Sequence, residues 1–167
     1  RVLCDRLPDS PVRARALHGL WWVSFARGEL PQAAALAQRI LALAEGDERG
    51  ADPGLRLAGS SASGVTLTML GQLTQAQRHL ESALATYAAI GDTLPPGMFV
   101  QDPGVEAGGY LALVAWWRGE PGRARSLANE AVALAGRIRH PVSELIAFHL
   151  AAVLHYFAGE PQHALAA

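Results

Sequence analysis

The amino-acid sequence predicts an all-α protein built as a solenoid of stacked antiparallel helix pairs. A short pattern that begins with glycine and ends with alanine recurs four times. Apolar residues follow it at the spacing of a buried helix face, and no long run of alternating polar and apolar residues predicts a strand. The four segments are GELPQA (28–33), GQLTQA (71–76), GEPGRA (119–124) and GEPQHA (159–164). About three and a half helix pairs are therefore expected.

The recurring segment predicts where one helix ends and the next begins. Its glycine is the residue type that closes a helix in the left-handed conformation. Pro31, Pro121 and Pro161 then lie in the first turn of the second helix, where the missing N–H breaks no hydrogen bond. In the second copy we expect Thr74 to begin the helix as an N-cap.

A second start signal lies between the copies, where a proline precedes a long apolar run. Asp before proline is typical of a helix N-terminus, with the side chain as the cap and the proline at the first helical position. The four pairs are Ser10-Pro11, Asp52-Pro53, Asp102-Pro103 and His140-Pro141. They predict helix pairs at 11–27 with 31–45, 53–70 with 74–90, 103–118 with 121–138, and 141–158 with a helix from 161.

Residues 91–102, GDTLPPGMFVQD, form the longest predicted connection, because adjacent prolines break a helix. We expect residues 1–167 to form a single helical-repeat domain, with repeats at about 11–46, 53–91, 103–139 and 141–167.

The composition predicts a piece of a larger protein. Half of the residues are hydrophobic and only 17% are charged, a small charged share for a free-standing soluble domain. Repeat arrays need polar capping helices at their ends, so we expect the region of Leu145, Ala152 and Leu154 to lack its cover. A homodimer is one expected remedy.

Charge and cysteine content exclude several classes of function. The net charge is −1 and the charged residues are interspersed, so no basic stripe predicts a nucleic-acid or anionic-membrane surface. The start of the chain lacks the apolar run of a signal peptide, and the apolar stretch 141–158 is interrupted by Glu144, His149 and His155. The single cysteine, Cys4, excludes an internal disulfide and fits a reducing, cytoplasmic location.

No pattern in the sequence predicts a catalytic, metal or cofactor site. His149 and His155 are too far apart in sequence to share a helix face as metal ligands. The segment GSSASG (59–64) lacks the Lys and the preceding strand of a phosphate-binding loop, so we interpret it as small residues at a close helix crossing.

The Gly-x-x-x-x-Ala turn between helices with small residues resembles the tetratricopeptide repeat. The glycines are 43, 48 and 40 residues apart, which is longer than the standard period of about 34. Two key positions also depart from the family pattern and indicate degenerate repeats. Aligned on the turn alanine, the small-residue position holds Trp21, Gly64, Ala112 and Ala152, and the aromatic position of the second helix holds Ala37, Leu80 and Ala128.

A closer resemblance covers most of the chain, at residues 26–46, 70–87, 102–135 and 139–155. These segments, with their Asp-Pro-Gly-Val and His-Pro-x-Ser elements, resemble the repeat region of large bacterial signalling proteins. Those proteins join a class III nucleotide cyclase and a STAND-type AAA ATPase to a helical array. The resemblance implies a non-catalytic protein- or effector-binding array that regulates a neighbouring ATPase or cyclase module, whose catalytic residues lie outside this chain.

Two alternatives stay open beside this interpretation. The chain would serve as a structural arm for oligomerisation of the parent protein, or as the repeat region of a maltose-regulator-like transcription activator.

The resemblance also implies where a partner would bind, because the first helix of each tetratricopeptide pair lines a concave groove. An aromatic groove suits a protein or peptide partner, including another domain of the same protein. The competing interpretation, in which these rings fill the interior of a tightly wound array, stays open. The expected groove residues are His18, Trp22, Phe25, Leu113, Trp116, His149, Val153 and Tyr156.

The repeat alignment predicts that the turn alanines are buried contacts between paired helices. Replacing Ala76 or Ala124 with Leu should lower the free energy of unfolding by about 1–3 kcal/mol through overpacking. Denaturant unfolding of both variants checks this expectation. Unchanged midpoints in both would show that the alignment is wrong.

Overall fold

The computed structural model describes residues 11–45, 52–94, 99–160 and 162. These residues contain seven α-helices, one short 3-10 turn at Gly91–Thr93 and no strand, which confirms the all-α solenoid. Every predicted boundary that falls in this part of the chain is met to within one residue, and the helix predicted from 161 lies outside it. The helices are α1 (Pro11–Ala26), α2 (Leu30–Glu45), α3 (Pro53–Met69), α4 (Leu73–Ile90), α5 (Pro103–Trp117), α6 (Pro121–Ile138) and α7 (Pro141–Phe157).

The four turn glycines end the first helix of each pair in the same way. Gly28, Gly71, Gly119 and Gly159 have φ values between 71° and 81°, the left-handed region that glycine adopts without strain. Each glycine N–H donates to the carbonyl three residues before it, and the next N–H donates to the carbonyl five residues back. This double closure confirms that the glycines are the C-terminal signals of the first helices.

The structure confirms the predicted helix caps at two positions and corrects the predicted cap at a third. Asp52 and Asp102 each cap their helix, with Oδ1 accepting two backbone N–H groups at 2.8–3.2 Å. The assignment of Thr74 as an N-cap is wrong. Helix α4 begins one residue earlier, and Thr74 Oγ1 accepts a hydrogen bond from Arg118 Nη1 at 3.0 Å instead. Ser10 lies outside the described residues.

The helices form two layers. The first helices α1, α3, α5 and α7 form the inner layer, in which α3 buries 13 of its 17 residues and α5 buries 12 of 15, while α7 buries five of 17. The second helices are outer supports: α4 buries three of 18 residues, and α6 buries only Ala124, Ala128, Ala131 and Ala135. None of the described helices has the length and apolar character needed to cross a bilayer.

Glycines on the inner helices allow neighbouring helices to approach closely. A Cβ on Gly59 would lie 2.7 Å from Leu41 Cγ of α2, and one on Gly64 would lie 2.6 Å from Leu80 Cγ of α4. Helix α3 is therefore crossed on two sides within the GSSASG segment, as its small residues predict. On α5, a Cβ on Gly109 would meet Leu150 Cδ1 of α7 at 2.5 Å.

In the first two helix pairs, one of the two aligned positions holds a large residue and the other a small one. Trp21, the exception to the small-residue rule, is fully buried in the main core together with Ala37, and its Nε1 donates to Thr66 Oγ1 at 2.9 Å. In the second pair the sizes are reversed, because Gly64 faces Leu80. The turn alanines Ala33, Ala76 and Ala124 are completely buried, as the alignment requires.

Gly64 provides a test of this close packing. Gly64→Ala should lower the free energy of unfolding, because the clash with Leu80 outweighs the gain of about 1 kcal/mol in helix propensity. The matched control is Gly136→Ala on α6, where an added Cβ meets no atom within 4 Å. It should raise stability by about 0.5–1 kcal/mol. Equal stabilisation of both variants in chemical denaturation would contradict the packing argument.

Candidate peptide-binding groove

All four first helices contribute to one open cavity, hereafter the groove, with a volume of about 630 Å³. This volume is in the range of protein sites that accept ligands, about 300–1,000 Å³. The walls are mostly apolar. The lining residues are Phe25, Ala26, Gly28, Leu30, Met69, Tyr110, Leu113, Trp117, His149, Leu150, Val153 and Phe157.

One repeat position places a side chain in the groove from every first helix. The residue two before each turn glycine is Ala26, Met69, Trp117 or Phe157, and all four line the cavity. Because each helix ends with the same glycine closure, this position keeps the same orientation in successive repeats. Along the array these side chains increase in size, from the methyl group of Ala26 to the rings of Trp117 and Phe157. The two rings meet edge-to-face, with their centroids 5.7 Å apart.

Of the eight residues predicted for the groove, the structure brings four together there. Phe25, Leu113, His149 and Val153 line the cavity. Their role in binding stays a prediction. They come from α1, α5 and α7, so the packing of three inner helices creates their proximity.

The other four lie elsewhere. His18 is buried between Trp21 and Phe99, with ring centroids 5.2 and 5.3 Å away. Trp22 is half-buried against the core cluster that contains Trp21. Trp116 is half-buried against a second core cluster, which contains residues of α5, α6 and α7. Tyr156 is 74% exposed and contacts the neighbouring Phe157 ring outside the cavity.

The sequence analysis missed two aromatic residues of the groove by one position each. Trp117 and Phe157 directly follow Trp116 and Tyr156, and one residue rotates a side chain by about 100° around a helix. The signal was present in the fixed distance from the turn glycine. Counting from that glycine, at the end of the lining helix, would have selected Trp117 and Phe157.

Charged residues near the groove are paired with each other. Arg27 and Glu29 flank Gly28, and Arg118 and Glu120 flank Gly119; in both pairs Arg Nε lies 3.7 Å from Glu Oε1. At the fourth turn, Glu160 binds Arg125 Nη2 at 2.5 Å and His155 Nδ1 at 3.0 Å. The rim therefore carries balanced charge, and such exposed pairs contribute little to stability.

The side chains of the groove walls determine which interactions the groove can make with a ligand. Their ionisable side chains are His149 and Tyr110, and the pKa of Tyr110 is raised by burial and by the nearby Glu106 carboxyl. Among the described residues no group of three His, Cys, Asp or Glu side chains could hold a metal ion. Aromatic and aliphatic contact is thus the main interaction that the walls can make.

Two ionisable groups are buried beneath the groove. Glu106 of α5 accepts a hydrogen bond from Ser61 Oγ at 2.9 Å and another from the Gln101 side-chain amide. Burial raises the pKa of Glu106 to about 7, against the effect of these two hydrogen bonds. Burial also lowers the pKa of His18 to about 4. Its Nε2 has no hydrogen-bond partner among the described residues.

Glu106 and His18 change the free energy of unfolding in opposite directions as the pH changes. Glu106 has a raised folded-state pKa, so its contribution is full below pH 4.5 and is lost as the pH rises to about 7. His18 has a lowered folded-state pKa, so its contribution is full above pH 6.5 and is lost as the pH falls to about 4. Between pH 4.5 and 6.5 the two effects largely cancel.

Single substitutions should separate the two effects. As the pH rises from 4.5 to 7, the free energy of unfolding of Glu106→Gln should increase by about 3 kcal/mol relative to that of the parent chain. The reason is that only the parent chain has the carboxyl whose pKa is raised on folding, and this rise is worth about that much. His18→Phe should gain stability as the pH falls from 6.5 to 4. Denaturant unfolding across about pH 4–8 measures both differences.

A flat difference between Glu106→Gln and the parent chain across this pH range would mean that Glu106 is hydrated in the folded chain.

Comparisons with known proteins support the repeat fold. No family model matches the chain, and no curated protein matches its sequence. Two crystal structures of nearly identical TPR-like repeats, from a candidate kinesin light chain of Podosopora anserina, match its structure. One of them, a point variant, has a TM-score of 0.60 and 22% identity over 96% of this chain and 73% of its own length. The other has 0.59 and 22% over 98% and 76%. The chain therefore folds as a TPR-like helical-repeat array.

Proposed function

We propose that the chain is a non-catalytic protein-binding array, whose groove receives the apolar face of an amphipathic helix. The observation that carries the proposal is the recurrence of one repeat position, Ala26, Met69, Trp117 and Phe157, on the walls of one cavity. TPR-like repeats generally mediate protein–protein interaction, which agrees with this use of the groove.

Helical spacing within the walls supports a helical ligand. Tyr110, Leu113 and Trp117 follow each other at intervals of three and four residues on α5, and Val153 and Phe157 are four apart on α7. Each set spans a helix face, and a third helix lying between two such faces would pack as helices do in a bundle. The balanced rim favours a ligand whose contacts are mainly apolar.

The binding strength follows from the burial of a few large side chains. Each fully buried Leu or Phe contributes about 1.5–3 kcal/mol, and association costs at least about 4 kcal/mol. Four anchors at about 3 kcal/mol each leave about 8 kcal/mol after this cost, so a Kd of about 1 μM is the tight limit for such a ligand. Such affinity suits reversible regulation.

In the parent protein, the ligand helix would belong to a partner or to another domain. We propose that its binding regulates a neighbouring ATPase or cyclase module in the cytoplasm, as the sequence resemblance implies. A helix in the groove would contact α1 and α7 together, and so connect the two ends of the array.

A displayed library of amphipathic helices tests the groove. Peptides selected on the parent chain should bind at about micromolar Kd. Their binding should fall at least about tenfold with Val153→Asp, because an unpaired carboxylate would be buried against the peptide. Leu145→Asp is the matched control, since Leu145 lies on α7 outside the groove and is 67% exposed. Peptides that bind both variants equally, or a selection that yields none, would contradict the proposal.

The structural-arm alternative would need an exposed apolar surface outside the groove. Of the residues expected to lack cover, Leu145 is 67% exposed and Ala152 is half-buried; Phe148, on the same helix, is 40% exposed. The expected exposure of Leu154 is wrong, because Leu154 is buried in one cluster with Ala112 and Ala124.

A further inference from the structure

The two sides of the groove differ in the size of their side chains. At the position two residues before the turn glycine, α1 has only the methyl group of Ala26, whereas α5 and α7 have the rings of Trp117 and Phe157. The two rings contact each other and stay 38% and 45% exposed, so they present an aromatic surface to a ligand. At this position the chain thus occupies more of the groove on the α7 side than on the α1 side.

The groove also extends past the end of α1. Of the four turn glycines, all within the part of the chain that the structure describes, Gly28 is the one that lines the groove. Leu30, at the start of α2, lines it as well. A Cβ on Gly28 would meet no atom of the described residues within 4 Å, so the space above this turn is open. The α1 side therefore has room for a side chain that comes from a ligand.

We infer that the partner helix places one aromatic side chain on the side facing α1, in the space above Ala26, Gly28 and Leu30, and small side chains on the side facing Trp117 and Phe157. The inference rests on the proposed function of the groove, and it names the pattern of side chains by which the groove selects its partner.

The residues that line the groove from α1 and α3 suit a ring. Phe25 of α1 and Met69 of α3 provide a second ring and a flexible thioether. Aromatic pairs and sulfur–aromatic contacts each add to the gain from apolar burial. Because an aromatic side chain also buries a large apolar surface, it gains most from an open space of this kind.

Packing within the chain follows the same rule of complementary sizes. Gly64 of α3 faces Leu80 of α4. On α5, Gly109 faces Leu150 of α7 in the same way. Close packing leaves no room for two large side chains at one contact. A partner helix therefore needs Gly, Ala or Ser where it passes the two rings of the α7 side closely.

A double-mutant cycle tests the α1 side. Peptide helices selected on the parent chain are scanned with alanine, and one aromatic anchor should emerge whose loss weakens binding at least about tenfold. Ala26→Phe gives α1 the ring that α7 has at Phe157, and it should weaken binding of the unchanged peptide at least about tenfold, because it fills the space of the anchor. The peptide without its anchor should bind the parent chain and Ala26→Phe within about twofold, since the two changes then remove the same contact.

Val23→Phe is the matched control for the added ring. Val23 also lies on α1, is 51% exposed and is outside the groove lining, so a ring there should leave peptide binding unchanged. Ala26 is exposed as well, so both variants should unfold at the denaturant concentration of the parent chain. If Ala26→Phe is destabilised, Ala26→Met, which copies Met69, gives the same comparison with a more flexible side chain.

The α7 side is tested with the sizes reversed. Enlarging a small residue of the peptide to Leu should weaken binding to the parent chain where that residue packs against Trp117. The same enlargement should cost at least about tenfold less on Trp117→Ala, because the ring that the larger side chain meets is gone.

The inference and the proposed function fail in different ways. Peptides that Val153→Asp weakens, but that have no aromatic anchor coupled to Ala26 or no small residue coupled to Trp117, would overturn the inference and leave the function of the groove intact. Equal losses with Ala26→Phe and Val23→Phe would do the same. Peptides whose binding is unaffected by Val153→Asp would contradict the proposed function, and the inference with it.

Discussion

The fold depends on close contact between inner and outer helices at positions without a side chain. Gly59 and Gly64 let Leu41 and Leu80 reach the backbone of α3, and Gly104 gives the same access to Tyr87. Without these contacts α3 and α5 could not be enclosed on every side, since any Cβ there would overlap a neighbour. Helices that touch their neighbours all round have little freedom to tilt, which fixes the geometry of the array.

Polar contacts then position the inner helices relative to each other. Asp102 caps α5 through Oδ1, accepts the Tyr87 hydroxyl of α4 at 2.9 Å through Oδ2, and donates its N–H to Ser143 of α7 at 2.9 Å. One residue thus joins three helices at the start of α5. Buried polar groups are stabilising when they are satisfied in this way, and they also specify which helices meet.

The groove is a consequence of this inner layer. Aromatic contacts connect α1 to α5, since Trp21 stacks on Phe25 and Phe25 meets Tyr110 edge-to-face at 6.4 Å. Among the rings whose place the sequence leaves open, His18 fills the interior, while Phe25 reaches the groove. A row of ring contacts thus connects the buried Trp21 with Phe25 and Tyr110 in the groove wall.

Much of this protein was determined by local sequence. Positive-φ glycines, aspartate caps and the prolines after them act within a few residues, so the helix boundaries and the pairing of helices follow from the chain alone. The prediction for Thr74 is wrong because α4 begins at Leu73 and the Thr74 hydroxyl accepts a hydrogen bond from Arg118, which is distant in sequence. Only the tertiary structure decided which face of each first helix meets the groove, because a step of one residue turns a side chain by about 100°. It also decided that His18 and Glu106 are buried, since the residues that enclose them, Phe99, Ser61 and Gln101, come from other parts of the chain.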